Sequence, residues 1–281
     1  MVNPHSKRIS ETMNIPGRKM NFSFDLKTLP KYWYADDAFK STYMGALSCQ
    51  FPEGERMFMD AVRDHQDKVS SPRLLEQIKG FIKQEAMHGH EHSQFNRFLD
   101  SVGYPASKYE AFQKKERIWM RKYLPAKHML AVTCALEHFT AIMAHQILTN
   151  PAATEGMNEQ FKELWKWHAV EETEHKAVAF DVYQETVGSY WIRVFAMINI
   201  TIMFTTRTSF LQMVFLWKDG QLFNPKTWLS GFNFYFRKPG MIPSLWRDYI
   251  DYFRRDFHPW DQDNRDLLQK WSQDHSNFKI I

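Results

Sequence analysis

Residues 84–92 read QEAMHGHEH and residues 167–177 read WHAVEETEHKA, and each stretch contains a Glu-x-x-His motif. The two motifs are Glu85-Ala-Met-His88 and Glu172-Thr-Glu-His175. Residues three apart on a helix share a face, so each motif presents a carboxylate and an imidazole together. One such motif is common on solvated helices, whereas two on separate long helices indicate a metal site.

The sequence around the motifs predicts an all-α fold. Between Ala46 and Gly188 the chain has few Gly and Pro residues, and its apolar residues recur at helical spacing. Turn-forming residues interrupt this pattern near 70–72, 102–105, 124–125 and 149–151. The predicted helices span 47–69, 72–101, 125–149 and 155–187, with a connector at 106–121. No segment indicates a sheet, so we expect a four-helix bundle followed by additional C-terminal helices.

A dimetal bundle site requires one carboxylate from each of the other two helices. Glu137 is the only acid between Glu116 and Glu155, and it lies on a stripe of small apolar residues. A buried carboxylate without a compensating charge costs several kcal/mol, and a metal ion would supply that charge. The sequence therefore predicts Glu137 as the ligand from the third helix.

The first helix offers two acids, Glu53 and Glu55, in the stretch FPEGERMF (51–58). Glu55 shares a helical face with Phe58 and Val62, whereas Glu53 lines up with Arg56. Glu55 is the predicted ligand. Glu53 is better placed to stabilise the helix N-terminus through the macrodipole.

Two further histidines share faces with the motifs. His92 lies four residues after His88, and His168 lies four residues before Glu172, so each group spans about 60° of its helix. Trp165 and its neighbours indicate an apolar surround for His168, which we predict to be a seventh ligand. For His92 a structural or supporting role is expected, because its neighbours are polar.

These steps give one predicted ligand set. Its members are Glu55, Glu85, His88, Glu137, His168, Glu172 and His175, and the candidate catalytic residues among them are Glu55, Glu137 and Glu172. Such a hard oxygen and nitrogen donor set suits two iron ions, with manganese or zinc as alternatives.

The composition restricts the class of protein. The net charge is +4 and no run of basic residues exceeds a pair, which argues against nucleic acid as a partner. Cys49 and Cys134 are too few for a disulfide framework, and no apolar segment precedes residue 25, so a cytoplasmic protein is expected. We divide the chain into an N-terminal extension (1–45), the dimetal bundle (46–188) and an aromatic-rich C-terminal cover (189–281).

The segment from Tyr190 to Trp217 contains no acid and many apolar residues. Arg207 in its middle would cost about 2.5–3.5 kcal/mol at a bilayer centre, which disfavours a transmembrane span. Packing on the bundle, covering the metal cavity and contact with a membrane surface remain as alternatives. A hydrophobic substrate, with an anionic group bound by Arg193 or Arg207, is expected.

The predicted ligand pattern resembles that of the ferritin-like diiron carboxylate proteins, which implies a ferritin-like four-helix bundle. With His168 included, the last motif looks like that of the p-aminobenzoate N-oxygenase group. The stretches FPEGERMF, QEAMHGHEH, ALEHF (135–139), WHAVEETEHKA and FHPWD (257–261) are similar to a bacterial family described as predicted metal-dependent hydrolases.

These resemblances imply three functions. The first is a non-heme diiron oxygenase that uses dioxygen and an electron donor, such as a ferredoxin or a reductase, to hydroxylate, desaturate or N-oxygenate a hydrophobic substrate. The second is a dimetal hydrolase that acts on an ester or amide. The third is a ferroxidase or iron-handling protein. Peripheral membrane contact and a homodimer are left open.

Overall fold

The structure is a computed structural model that describes residues 2–20, 22, 24, 29–237, 240–274 and 279–280. Its regular structure is almost entirely helical, which confirms the predicted all-α class. One short antiparallel pair, β1 (Arg18–Lys19) and β2 (Lys279–Ile280), joins segments close to the two chain ends. The helices are α1 (Pro4–Thr12), α2 (Ala38–Ser48), α3 (Phe51–Gln66), α4 (Pro72–Ser101), α5 (Ala106–Tyr123), α6 (Ala126–Thr149), α7 (Glu159–His175), α8 (Val178–Thr186), α9 (Tyr190–Lys218), α10 (Pro225–Phe236), α11 (Met241–Asp251) and α12 (Arg265–Asp274).

Four helices that carry predicted ligands form a bundle. Helix α3 packs on α4 and α6, and α7 packs on the same two helices from the opposite side. Apolar layers lie on both sides of the ligand residues: Phe58 and Phe81 belong to one core cluster, and Phe95 and Trp165 belong to another. The polar site is therefore enclosed between two apolar layers.

Two predicted helices are interrupted in the structure. The expected helix at 47–69 is divided between α2 and α3, and Pro52, which has no N–H to donate, lies in the first turn of α3. The expected helix at 155–187 ends at His175 and resumes at Val178. At this break the buried Lys176 turns towards the C-terminal segment, where its ammonium lies 4.0 Å from the ring centroid of Trp260.

Helices α9, α10 and α11 cover the side of the molecule formed by α2 and α6. Among the described residues, α9 is the one helix long and apolar enough to cross a membrane. Of its most apolar stretch of 18 residues, 22% is buried in the protein. Arg193 is buried and donates to the carbonyl oxygens of Tyr252 and Arg254. Arg207 forms a two-bond ion pair with Glu116 of α5. Both arginines already have partners, so the structure does not favour their expected role in binding a substrate anion.

Candidate metal centre

The structure brings all seven predicted ligand residues into one buried cluster. Their side-chain atoms form three overlapping groups in which the donors lie within 4.8 Å of one another. The groups are Glu55, His88 and His168; Glu85, Glu137 and His175; and Glu85, His88 and Glu172. None of the seven residues is more than 3% exposed, so the cluster is shielded from bulk water.

Glu172 lies between the two ends of the cluster. Its Oε1 atom is 2.8 Å from Nε2 of His168 and 3.3 Å from Nδ1 of His88. Its Oε2 atom is 3.6 Å from Nε2 of His175. Glu172 can therefore donate one oxygen to each of two neighbouring cations.

The remaining carboxylates extend the cluster in both directions. Nε2 of His175 lies 3.0 Å from Oε1 of Glu85 and 3.5 Å from Oε2 of Glu137. At the other end, Oε1 of Glu55 lies 3.9 Å from Nε2 of His168. We call Glu55, Glu85, Glu137 and Glu172 the inner carboxylates.

The partners of these atoms test whether metal ions fit the site. Nine buried ligand atoms of the cluster make no hydrogen bond of normal geometry with the described residues, although Nε2 of His175 and Oε1 of Glu85 lie only 3.0 Å apart. They are both oxygens of Glu55, Glu85 and Glu137, Oε2 of Glu172, Nδ1 of His88 and Nε2 of His175. Buried polar groups are normally hydrogen-bonded, so nine converging exceptions require a compensating group. Divalent cations fit this arrangement of oxygen and nitrogen ligands.

Without a cation, the inner carboxylates cannot all stay ionised. Burial, followed by the charges of Glu85 and Glu172, raises the pKa of Glu55 well above its ordinary value. Burial and neighbouring carboxylates raise the pKa values of Glu85 and Glu137 in the same way.

Glu172 and His175 behave differently from these three acids. Burial alone would raise the pKa of Glu172, but the charge of His175 and the hydrogen bond from His168 lower it well below its ordinary value. Burial alone would lower the pKa of His175, but Glu172 and other carboxylates raise it to about 9. Without metal, the site therefore favours the charged forms of Glu172 and His175 and resists ionisation of Glu55, Glu85 and Glu137.

A partner outside the cluster orients each histidine. His175 donates from Nδ1 to Oε1 of Gln84 at 2.8 Å, so its Nε2 atom points into the cluster. His88 donates from Nε2 to Oε2 of Glu171 at 3.1 Å, which leaves Nδ1 for the cluster. Such partners fix the tautomer and ring orientation of metal-binding histidines.

His168 is oriented through His92, for which the sequence predicts a structural or supporting role. Nδ1 of His168 lies 2.7 Å from Nε2 of His92, and Nδ1 of His92 lies 2.8 Å from the hydroxyl of Ser48. That hydroxyl donates to Oδ1 of Asn96. If Nε2 of His168 binds metal, this chain of hydrogen bonds keeps its proton on Nδ1.

Arg18 supports the site from the N-terminal extension, and sequence reasoning missed it. The buried guanidinium donates to Glu171 at 3.0 Å and to both oxygens of Glu174 at 2.7 and 2.6 Å. Burial raises the pKa of Glu174, and the ion pair with Arg18 opposes that shift. We call Glu171 and Glu174 the outer pair. Gln84 links this pair to the cluster, because its Nε2 donates to Glu174 at 2.7 Å and its Oε1 accepts from His175.

The structure gives Glu53 and Glu55 different surroundings. Glu53 pairs with Arg56 and with Arg117 of α5, whereas Glu55 faces the cluster. Gly89 of α4 leaves room for this carboxylate, because a β-carbon there would lie 3.1 Å from Oε2 of Glu55.

A cavity of about 410 Å³ leads from the cluster to the surface. His168 and Glu172 lie at its inner end, and Met44, Leu47 and Phe51 are among its apolar walls. Helices α10 and α11 complete the wall, and the exposed Glu155 and Arg237 lie at the mouth. No residue of α9 lines this cavity, and Ile198 and Ile202 of α9 face outwards.

Comparison with known proteins assigns the chain to a family. The model of a family described as predicted metal-dependent hydrolases matches residues 16–263, which include the seven cluster residues, Arg18 and the FHPWD stretch. No curated protein and no solved structure matches the chain. The match covers most of the sequence, and the chain belongs to the family of predicted metal-dependent hydrolases.

Proposed function

We propose that the chain is a dimetal hydrolase that acts on an ester or amide with an apolar body. The nine converging ligand atoms that make no hydrogen bond of normal geometry support the metal centre, and the family description favours hydrolysis. Metal ions in such a site polarise a substrate carbonyl and lower the pKa of water.

The geometry suggests how the residues divide between two ions. Glu85, Glu137 and His175 would hold one ion, and Glu55, His88 and His168 would hold the other. Glu172 would bridge them, because its two oxygens face different histidines.

The cavity would hold the substrate. Its apolar wall would bind the apolar body and exclude water, so that the reacting carbonyl lies beside His168 and Glu172. Trp165 also lines the cavity, and its indole N–H has no hydrogen-bond partner among the described residues. We propose that this N–H donates to a polar atom of the substrate.

The test measures metal content and hydrolysis together. Protein loaded with zinc or manganese should cleave aryl esters with apolar acyl groups, and Glu55→Gln should lower both metal content and turnover. Glu53→Gln is the matched control, because it changes a buried carboxylate of the same helix that already pairs with Arg56 and Arg117. Absence of hydrolysis with every divalent metal, despite full loading, would refute the proposal.

The ligand set favours a diiron oxygenase as the second candidate. Every donor in the cluster is oxygen or nitrogen, and the buried Cys49 and Cys134 belong to none of the metal-ligand groups among the described residues. This donor set suits iron, which can use dioxygen to oxidise an organic substrate when an electron donor is present. Dioxygen consumption by ferrous-loaded protein, with no hydrolysis by zinc-loaded protein, would favour this candidate over the hydrolase.

A further inference from the structure

Helix α9 presents an apolar stripe along its outer side. Trp191, Phe195, Ile202, Phe210 and Trp217 are all at least 58% exposed. The 29 residues of the helix extend over about 43 Å. Apolar exposure on this scale exceeds the scattered residues that are normal on soluble proteins.

Helices α10 and α11 continue the same kind of surface. Phe232 of α10 is 60% exposed, and Trp246 of α11 is 61% exposed. Helix α11 lies beside α9, where the hydroxyls of Tyr249 and Thr201 are 2.9 Å apart, and α10 packs on α11. We call the exposed apolar side of these three helices the outer face.

The charge of this region is one-sided. Residues 190–255 contain nine basic and three acidic residues, whereas the rest of the chain contains 27 basic and 29 acidic residues. Lys218, Lys226 and Arg247 are exposed, and no acid of the described residues pairs with them. One of the three acids, Asp219, is buried and pairs with Lys31. The three helices that form the outer face therefore also carry exposed basic residues without ion-pair partners.

We propose that the outer face docks on the surface of an anionic lipid bilayer. Interfacial helices combine Trp, Phe and Leu on one face with Lys and Arg beside it, and anionic headgroups attract those basic residues. The other side of α9 packs on α2 and α6 and buries Arg193 and Gln212, so α9 lies along the protein and exposes only one side to lipid. The helix therefore rests on the bilayer and does not cross it.

The basic charge of this region favours an anionic bilayer over a second copy of the chain as the partner of the outer face. A two-fold dimer through the outer face would bring the same unpaired basic residues of both copies together. An anionic bilayer compensates these charges.

The docked orientation also suits the cavity. Helices α10 and α11 expose Phe232 and Trp246 on one side and line the cavity with Phe234 and Leu245 on another. An apolar molecule in the bilayer would therefore lie close to the cavity wall. The docking itself requires neither metal nor turnover.

The test is flotation of the full chain with vesicles of phosphatidylcholine, with or without phosphatidylglycerol. The chain should float with the anionic vesicles and less so at high salt, because salt screens the basic residues. Phe232→Ser with Trp246→Ser should weaken the partition about tenfold or more, because two large apolar contacts are lost.

Charge reversal provides a matched pair of variants. Lys226→Glu with Arg247→Glu should also weaken the partition about tenfold or more. Lys79→Glu with Arg97→Glu makes the same change in net charge on exposed residues of α4, which packs on α3, α5, α7 and α8, and should bind as the parent chain does.

Three outcomes would overturn the proposal: no flotation of the parent chain with anionic vesicles, equal loss in both charge-reversal variants, or a dimer that Phe232→Ser with Trp246→Ser dissociates. Circular dichroism and metal content check that each variant is folded. These readouts are independent of turnover, so failure of docking is distinguishable from failure of the dimetal site.

Discussion

The inner carboxylates and the outer pair are buried side by side, and helix α7 carries Glu172 of the first group and both members of the second, but the chain provides for them differently. The oxygens of Glu171 and Glu174 accept hydrogen bonds from Arg18, His88 and Gln84. Both oxygens of Glu55, Glu85 and Glu137 accept no hydrogen bond of normal geometry from the described residues. The chain thus supplies its own cation to the outer pair and leaves the inner carboxylates for an external one. This difference explains why a stabilising ion pair and a metal site can lie side by side.

We expect the largest effect on stability from removing Arg18, the cation that binds the outer pair. Arg18→Met should lower the free energy of unfolding by about 3–5 kcal/mol, because it leaves two buried carboxylates without their charged partner. Urea unfolding should show this loss in both metal-free and metal-loaded protein. Lys19→Met, at an exposed position in the same strand, should change stability by less than about 0.5 kcal/mol. Equal losses in the two variants would contradict the comparison.

The second prediction concerns metal affinity and pH. The pKa of His175 in the metal-free chain is raised to about 9, so at any pH below 9 metal must displace a proton there. The raised pKa values of Glu55, Glu85 and Glu137 act in the same direction. Apparent affinity should therefore rise with pH, about tenfold per unit for each proton displaced.

The measurement is a zinc titration followed by calorimetry in buffers of different ionisation enthalpy. Lys176 also titrates in this range, because burial lowers its pKa to about 7. Its titration changes the stability of the metal-free and metal-loaded protein alike, so it cancels from the metal affinity. Affinity that does not change between pH 6.5 and 8.5 would contradict protonation of the inner carboxylates and His175.

The third prediction tests the hydrogen bonds by which Gln84 links the cluster to the outer pair. Gln84→Leu removes the acceptor of His175 and a donor to Glu174, and should lower metal affinity about 10–100-fold. Gln77→Leu is the control, because this buried glutamine of α4 also donates to carbonyls of the N-terminal extension and, among the described residues, has no hydrogen bond to the cluster. Equal metal affinity in the two variants would show that Gln84 only packs.

The sequence predicted the inner carboxylates better than their surroundings. Glu85, His88, Glu172 and His175 repeat at helical spacing, and Glu137 is isolated in an apolar stripe, so local pattern located them on inward faces. Arg18 lies in a segment without periodicity, 153 residues before Glu171 along the chain, and only the folded structure brings them together. The acids at 171, 172 and 174 are a sequence signal for a cation such as Arg18, because three carboxylates on one helical turn require compensating cations when they are buried.

The interruption after His175 could not be predicted for a related reason. Residues 159–186 retain helical propensity throughout, and the break depends on Lys176, which donates to Asn264 and to the carbonyl oxygen of Gln262. These tertiary contacts override local preference. The same limitation applies to α9, whose composition fits a buried helix although the structure exposes one side of it.

The fourth prediction compares the same change, Glu to Gln, in an inner carboxylate and in a member of the outer pair. In metal-free protein, Glu137→Gln should leave stability unchanged or raise it by about 1 kcal/mol, because it removes a carboxyl group whose ionisation the site resists. Glu174→Gln should lower stability in the metal-free protein, because it weakens the pairing with Arg18. Thermal unfolding of both variants with and without metal gives the comparison. Equal destabilisation by the two substitutions would refute the distinction between inner and outer carboxylates.

The smallest expected effect concerns the contact between α3 and α4. Gly89→Ala replaces a glycine inside α4, which alone would stabilise the helix by up to about 1 kcal/mol. The added β-carbon would lie 3.1 Å from Oε2 of Glu55, so that carboxylate must move by a few tenths of an ångström. Because Glu55 is an inner carboxylate with no hydrogen bond to hold it, we expect the cost to fall on metal affinity and not on the fold.

Gly54→Ala is the matched control, since it lies in α3 beside Glu55 and its β-carbon would meet nothing within 4 Å. Both variants should unfold at or above the parent temperature, and only Gly89→Ala should weaken metal binding, by a few-fold. Unchanged metal affinity in Gly89→Ala would mean that Glu55 does not contribute to the metal site in the position the structure gives it.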